Sequence, residues 1–272
     1  MKNKKVIIIT GASSGIGKST AQQLLSEGHT VYGAARRIEK MDDLKADGIK
    51  AIKMDVTDEK SVKAGVDQLI KEQGRIDVLV NNAGYGSYGS VEDVPISEGK
   101  KQFDVNIFGL AQITQLVLPH MRKQKSGTVI NISSMGGIIY SPLGAWYHAT
   151  KHALEGFSDC LRFEVAPFGI NVVIIEPGGI KTEWDTIALD NMKARSGKTA
   201  YASLTEKTVK LFETMYKSGS HPSVIAKTIS KAIKAKRPKT RYASGYMAKP
   251  YIMGRRIFSD RIFDWMLKAS LK

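Results

Sequence analysis

Cysteine is nearly absent from this sequence, with Cys160 the one example in a chain of 272 residues. An intrachain disulfide framework is therefore excluded, and a reducing compartment is expected. Cys160 falls inside an apolar-periodic helical stretch, so it reads as a core residue rather than a nucleophile. Long hydrophobic runs are missing as well. No stretch approaches the roughly 18 apolar residues that cross a bilayer. The run Val6–Ile9 follows a basic opening but is far shorter than the roughly 7–15 residues of a secretory signal core. It reads as a first strand, and a cytoplasmic protein is expected. Internal repeats and low-complexity stretches are also lacking, and nothing resembles a linker before Glu183. Residues 1–192 carry no net charge, with 22 basic side chains against 22 acidic ones. The whole formal charge of +15 lies beyond them, where 19 basic residues face 4 acidic ones. Such a segment suits a solvated basic face, an anionic membrane surface, an acidic partner or a nucleic acid. No recognition motif accompanies the charge, so specific nucleic-acid binding is not expected.

What the sequence does contain is alternation. Val6–Ile9 is followed by a helical pattern from Ile16 to Ser26, stopped by Gly28, and then by an apolar run over Thr30–Ala34. A short helix is expected around Glu39–Ala46, a strand at Ala51–Met54 and a helix over Lys60–Glu72. Val78–Val80 leads into a glycine-rich loop, and one long helix is expected from Gly99 to Met121. Thr128–Ile132 and Val172–Ile175 are further strands, separated by a helix over Tyr147–Ala166. This order predicts an α/β fold, a parallel sheet with helices on both faces. Its strands are near-continuous apolar runs because both faces are covered. After Glu183 the pattern turns mainly helical, with a last strand near Arg241–Ser244, as an appendage to one domain.

Between the first strand and first helix stands Thr10-Gly11-Ala12-Ser13-Ser14-Gly15-Ile16-Gly17. Glycines at this spacing permit a tight turn and close backbone approach to a pyrophosphate, with the helix N-terminus aimed at the anion. Two other patterns compete. Ala12 to Ser19 is a relaxed P-loop that would make Lys18 a phosphate ligand and Ser19 a magnesium ligand, but it leaves Gly11 without a purpose. Gly84 to Gly89 also matches a G-x-G-x-x-G spacing, but no clean helix follows it, and a flexible loop beside the active site is expected there. At the end of the second strand, where NAD-binding folds place a carboxylate for the ribose 2′-hydroxyl, this chain has Arg36 and Arg37. Two guanidiniums suit a 2′-phosphate and predict a preference for NADP(H) over NAD(H).

Tyr147 and Lys151 are spaced i, i+4, which puts both on one face of their helix. A free phenol titrates too high for acid–base work near neutrality, and a neighbouring ammonium lowers its pKa. Tyr-x-x-x-Lys is common by chance, but here it stands within an ordered set. Over residues 5 to about 182 the chain closely resembles the short-chain dehydrogenase/reductase family. The glycine turn looks like that family's cofactor loop, and Asp55-Val56 is similar to its adenine-contacting pair. Asn81-Asn82-Ala83-Gly84 matches the motif that backs the cofactor. Asn106 sits where the family keeps an asparagine holding a relay water. Ser134, thirteen residues before Tyr147, occupies the catalytic serine position. Pro177-Gly178-Gly179-Ile180-Lys181-Thr182 matches the segment bracketing the nicotinamide.

The resemblance implies a Rossmann-type doubly wound sheet and an oxidoreductase that interconverts a ketone or aldehyde and an alcohol. Asn106, Ser134, Tyr147 and Lys151 would be its catalytic residues. Gly11, Ser13, Ser14, Gly15, Ile16, Gly17, Arg36, Arg37, Asp55, Val56, Asn82, Ala83, Gly84, Pro177, Gly178, Ile180 and Thr182 would hold the cofactor with Tyr147 and Lys151. No metal is expected, and the partners would be a small carbonyl or alcohol substrate and further copies of the chain. A catalytically silent dinucleotide-binding regulator of the same fold is the alternative, which the intact catalytic set disfavours. The organisation expected is a core over 1–182, a substrate lid over 183–216 and a basic extension over 217–272. Trp184, Ile187, Leu189, Met192, Tyr201, Leu204, Leu211 and Phe212, with Tyr85, Tyr88, Ile138, Tyr140 and Leu143, are candidates for an apolar pocket wall. The region through Pro177 is most similar to 17β-hydroxysteroid and retinol dehydrogenases, which implies a hydrophobic substrate. The basic, apolar stretch Tyr251–Lys272 suits an anionic membrane interface, or packing on the body or on a second subunit.

Overall fold

The computed structural model describes residues 4–271, apart from the side chains of Trp184 and Asp185. Seven parallel strands lie in the order β3-β2-β1-β4-β5-β6-β7. They are β1 (Val6–Thr10), β2 (Thr30–Ala35), β3 (Lys50–Lys53), β4 (Val78–Asn81), β5 (Gly127–Ile132), β6 (Ile170–Pro177) and β7 (Arg241–Ser244). All five residues of β1 are buried, as both-sided cover demands. Alternation along β1 sends Ile7 and Ile9 into one core and Val6 and Ile8 into the other. The first core is closed by α1 (Gly15–Ser26) and α9 (Ser223–Lys234), which pack together. The second is closed by α3 (Glu59–Gln73), α5 (Gly109–Gln124) and α6 (Ala145–Val165). The remaining helices are α2 (Asp42–Ala46), α4 (Ile96–Phe103), α7 (Glu183–Ser196), α8 (Ala202–Lys217), α10 (Ala248–Ile257) and α11 (Asp260–Ser270).

Local signals explain several boundaries. The Asp58 side chain caps α3 by accepting from the Lys60 and Ser61 amides, and Gly74 ends it at φ 68. The long helix expected over Gly99–Met121 is instead three joined pieces. α4 runs into a π-helical turn, Asp104–Phe108, before α5 resumes the α pitch. Such turns insert one residue of slack and re-aim what they carry. Cys160, expected in the core, is exposed. α6 turns Leu154, Leu161 and Val165 inward, and Cys160 lies one residue off that stripe. No helix among the described residues is long and apolar enough to cross a membrane.

The strand order reverses between β1 and β4, and a crevice opens there at the carboxyl ends of the strands. The turn after β1, Asn82, Ser134 and Pro177 all sit at this edge because each closes a strand that ends there.

Candidate active site

The glycine turn is built by close approach. Gly11 adopts φ 66, and α1 begins at Gly15. A side chain on Gly17 would collide with the Gly11 carbonyl oxygen and lie 2.5 Å from Asn82 Nδ2. That space is occupied because Asn82 Nδ2 donates to the Thr10 and Gly11 carbonyls at 3.0 and 3.2 Å. Thr10 Oγ1 in turn accepts from the amides of Asn82 and Ala83, both at 3.0 Å. The two loops that bound the crevice are thus sewn together, and Thr10 is a structural contributor that the spacing of glycines does not signal. The first turn of α1 has no side-chain cap at Ser14 and no acidic residue, leaving its amides open to an anion. Lys18 is turned away, paired with Asp43 at 2.6 Å, so the P-loop alternative fails.

A cleft of about 460 Å³ lies on the far side of the strand-order reversal, lined by Arg36, Thr57, Lys101, Asp104, Val105 and Phe108 among others. Arg36 and Arg37 are both exposed, and neither is held in an ion pair among the described residues. Arg36 reaches this cleft; Arg37 is not part of its wall. Lys101 and Thr57 are wall residues the sequence does not reveal, since only the fold brings α4 against the end of β3. Asp55 uses Oδ1 to bind the Thr57 amide and hydroxyl, at 3.0 and 2.8 Å, shaping the turn after β3. Val56 is buried against Gly109, where a Cβ would come within 2.8 Å of the Val56 carbonyl. Open helix amides and a cradle that admits only glycine fit the pyrophosphate of a dinucleotide.

The reacting end lies on the other side. α6 presents Tyr147 and Lys151 one turn apart, each 8% exposed. Ser134 caps a short 3₁₀ turn, Met135–Gly137, with Oγ accepting from the Gly136 amide at 3.0 Å, and it hydrogen-bonds Tyr147. Burial pushes the Tyr147 phenol up to about 12, and the Ser134 hydrogen bond pulls against that rise. Burial likewise pushes the Lys151 ammonium down to about 8, with the nearby Glu155 charge opposing it. Burial thus opposes the acidification that the i, i+4 spacing leads one to expect. Lys151 Nζ donates to the Ile132 carbonyl at 2.9 Å and stands 6.0 Å from the centre of the Tyr147 ring.

The π-helical turn carries Asn106. Its Oδ1 accepts from the Tyr85 amide at 3.1 Å, and its Nδ2 donates to the Tyr85 carbonyl and Thr150 Oγ1 at 3.0 and 3.1 Å. Both side-chain polar atoms are thereby committed. The loop from Gly84 to Gly89, expected to be flexible, is tied down. Asn106 clamps Tyr85, Arg195 from α7 donates to Ser87 Oγ, and the Gly89 amide donates to the Leu143 carbonyl at 2.8 Å.

His148, hidden inside the Tyr-x-x-x-Lys spacing, carries no signal in its sequence neighbourhood that marks it out. Burial pushes it down to about 4, so it is neutral. Nε2 accepts from the Ser141 amide at 3.0 Å, which assigns the proton to Nδ1 and its bond to the Gly136 carbonyl at 2.9 Å. It thereby fixes both ends of the segment that follows Ser134. Behind Lys151, Arg241 of β7 binds Glu155 at 3.0 Å and Asp159 at 2.7 Å, and lies 3.7 Å from Glu176. Burial pushes Glu176 up to about 7, and the Glu155 charge adds to the rise.

Over Tyr147 the helices after Thr182 close an apolar cluster. Tyr88, Leu143, Leu189, Met192 and Phe212 pack with Tyr147, and Leu204 and Leu211 border them. Tyr88 lies 5.6 Å from the Tyr147 ring and meets Phe212 edge-on at 5.7 Å. Other pocket candidates are elsewhere. Ile187 is exposed, Tyr201 donates to Glu92 at 2.8 Å, and Tyr85 donates to Glu98 at 3.3 Å. Ile138 and Tyr140 pack against Ile252 and Phe263 of the C-terminal helices, and the Trp184 side chain lies outside those described.

Comparison with known proteins agrees with this geometry. The family model described as short chain dehydrogenase matches residues 5–192. The 3-ketodihydrosphingosine reductase of Bacteroides thetaiotaomicron is 39% identical over 242 residues, covering 89% of this chain and 88% of that protein. The NADPH-dependent 3-dehydrocapnine reductase of Ornithobacterium rhinotracheale is 33% identical over 280 residues, covering 97% and 96%. Among solved structures, a short-chain dehydrogenase from Streptomyces avermitilis aligns with a TM-score of 0.82 at 34% identity, covering 98% of this chain and 96% of its own. None of these three is named for a steroid or a retinoid.

Proposed function

This chain belongs to the short-chain dehydrogenase/reductase family, and from that premise we propose that it is an NADP(H)-dependent reductase of a hydrophobic ketone. As a member it is an oxidoreductase with a nucleotide-binding Rossmann-type fold. The observation that carries the finer reading is the buried pair Tyr147 and Lys151, with the half-buried Ser134 bonded to the phenol and an apolar cluster packed over it.

When bound, the nicotinamide supplies or accepts the hydride. The backbone of Gly11, Ser13, Ser14, Gly15, Ile16 and Gly17 would cradle the pyrophosphate. Asp55 and Val56 would face the adenine, with Arg36 and Arg37 on the 2′-phosphate. Asn82, Ala83, Gly84, Pro177, Gly178, Ile180 and Thr182 would enclose the nicotinamide half. Tyr147, protonated at neutral pH, gives its proton to the carbonyl oxygen in reduction. Ser134 donates a hydrogen bond to the same oxygen and stabilises its developing charge. Lys151 holds the ribose hydroxyls and, drawn off the Ile132 carbonyl toward the phenol, makes the phenolate easier to form. Since the Asn106 side chain is fully engaged, any relay water falls to its main-chain carbonyl in the π-helical turn.

Residues 183–216 act as the substrate lid on the 1–182 core, with 217–272 as the extension. The lid's apolar contacts with Tyr147 favour a hydrophobic ketone, and the relatives named for 3-keto and 3-dehydro compounds direct the first choice of substrate. Arg36 and the relative named as NADPH-dependent support the cofactor preference. The single cysteine suits the cytoplasm. Self-association is assigned to the outer face of α6, where Gly156, Cys160 and Phe163 are exposed.

The test is a panel of 3-ketodihydrosphingosine, 3-dehydrocapnine, steroids, retinoids and simple ketones, offered with NADPH or NADH. Consumption of NADPH with a 3-keto long-chain substrate is the expected result. Tight cofactor binding without turnover of any member would instead identify a silent dinucleotide-binding regulator.

A further inference from the structure

The C-terminal helices bury one apolar stripe and expose another. Ile252 of α10 and Phe263 of α11 are buried against Met135 and Ile139, with Leu267 beside them. That stripe accounts for their attachment to the body. A second stripe has no such explanation. On α10, Met253 and Ile257 share a face at i, i+4, and on α11 Ile262, Trp265 and Met266 share one at i, i+3, i+4. Phe258 joins them across the turn. All six are exposed, Ile257 and Trp265 by 67% and 68%.

The charges beside this stripe that are held in no ion pair or hydrogen bond among the described residues are of one sign. Lys249, Arg256, Arg261 and Lys268 are exposed and are held in no ion pair among the described residues. Both acids of the segment are engaged: Asp260 pairs with Arg255 at 2.7 Å, and Asp264 accepts from the Tyr140 hydroxyl at 2.7 Å. Helical spacing places Arg256 beside Met253 and Ile257, and Arg261 and Lys268 beside Trp265. Long basic side chains flanking large apolar ones is the arrangement that lies in a bilayer interface, stems in the acyl boundary and heads among phosphates. A second copy meeting this face about a two-fold axis would set these four cations against their own images.

We infer that the exposed face of α10 and α11 docks the protein on an anionic lipid surface, beside the elements that close over the catalytic phenol. The placement follows from two contacts. Tyr140, in the segment that leaves Ser134, lies 5.2 Å from the Phe263 ring with the Arg255 guanidinium over it at 5.5 Å. Met215 of α8 borders both the cluster over Tyr147 and the cluster under α11. Packed apolar side chains therefore link the helices that carry the docking face to the cluster over the catalytic phenol, and a substrate with a long apolar tail would be taken from the membrane itself. Uptake of such a substrate rests on the hydrophobic-ketone reading, whereas docking does not.

The experiment uses the full chain, without substrate or cofactor, and vesicles of phosphatidylcholine alone or mixed with phosphatidylglycerol. Flotation should recover the protein with the mixed vesicles, weakly with the neutral ones, and less as salt is raised. Ile257→Gln with Trp265→Gln, both on exposed positions, should lower partitioning at least about 10-fold, as should Arg256→Gln with Arg261→Gln. Turnover of a water-soluble ketone should be unchanged in both variants. The inference is overturned by absent or equal binding to the two vesicle types, or by undiminished binding of the variants. It is equally overturned if the variants dissociate an oligomer on size exclusion, which would make the face a subunit contact, or if duplex DNA binds more tightly than the mixed vesicles. None of these outcomes would touch the reductase reading, which the substrate panel tests separately.

Discussion

Tyr147→Phe lowers kcat by at least about 10³-fold and leaves the NADPH dissociation constant within about threefold, on the range for a lost general acid. Removing one oxygen takes away the proton donor and one partner of Ser134, while the ring remains. That ring carries the packing: it sits between Tyr88 and His148 and under the helices that close the site. The variant therefore folds, and the loss appears in turnover rather than in binding. A 10³-fold loss corresponds to about 4 kcal/mol of transition-state stabilisation. Stopped-flow turnover together with fluorescence titration of NADPH measures both quantities. Activity within about tenfold of the parent protein would remove Tyr147 from the chemistry.

Arg36→Ala raises the dissociation constant for NADPH by about 10–100-fold and that for NADH by less than about twofold, the scale of one charge-assisted contact to a phosphate. The two cofactors differ only in the 2′-phosphate, so the ratio isolates the groups that meet it. Arg36 is exposed, free of ion pairs among the described residues and on the wall of the cleft beyond β2. Lys101 faces the same cleft from α4, and its retained charge sets the floor of the effect. The preference should also shrink as salt rises, because these cations are open to solvent. Isothermal titration with both cofactors decides the matter. Equal affinity for NADPH and NADH in the unaltered protein would dismiss the assignment.

How much of this could be read from the sequence depends on how local the cause is. β1 and β6 were legible because a strand covered on both faces must be a continuous apolar run, and Val6–Ile9 and Val172–Ile175 are such runs. The glycine turn was legible because Gly11 and Gly17 answer a contact between residues close in sequence, and Asn82 lies at the next strand end. Tyr147 and Lys151 were legible as a pair because helix pitch alone brings them to one face. The rest depends on contacts between distant segments. The π-helical turn at Asn106 is shaped where its side chain reaches the Tyr85 backbone, so the periodicity of Gly99–Met121 read as one unbroken helix. Cys160 lies a single residue off the buried stripe of α6, a rotation too small for composition to report. Ile138 and Tyr140 turn to the C-terminal helices because Phe263 is there to receive them, and nothing near either residue announces it. Helix pitch also fixed where Lys151 starts but not where its ammonium ends, on the Ile132 carbonyl rather than against the phenol.

That last difference points to the measurement that tests the account most directly, an ultraviolet titration of tyrosinate with and without NADP⁺. In the free protein burial holds the Tyr147 phenol at about 12. With the cofactor bound, one tyrosine should ionise at a pH at least about 2 lower, as the ammonium and the nicotinamide charge come to face it. The new step should vanish in Tyr147→Phe and move back up in Lys151→Met. Superimposable titrations with and without cofactor, or a step that survives Tyr147→Phe, would contradict the mechanism.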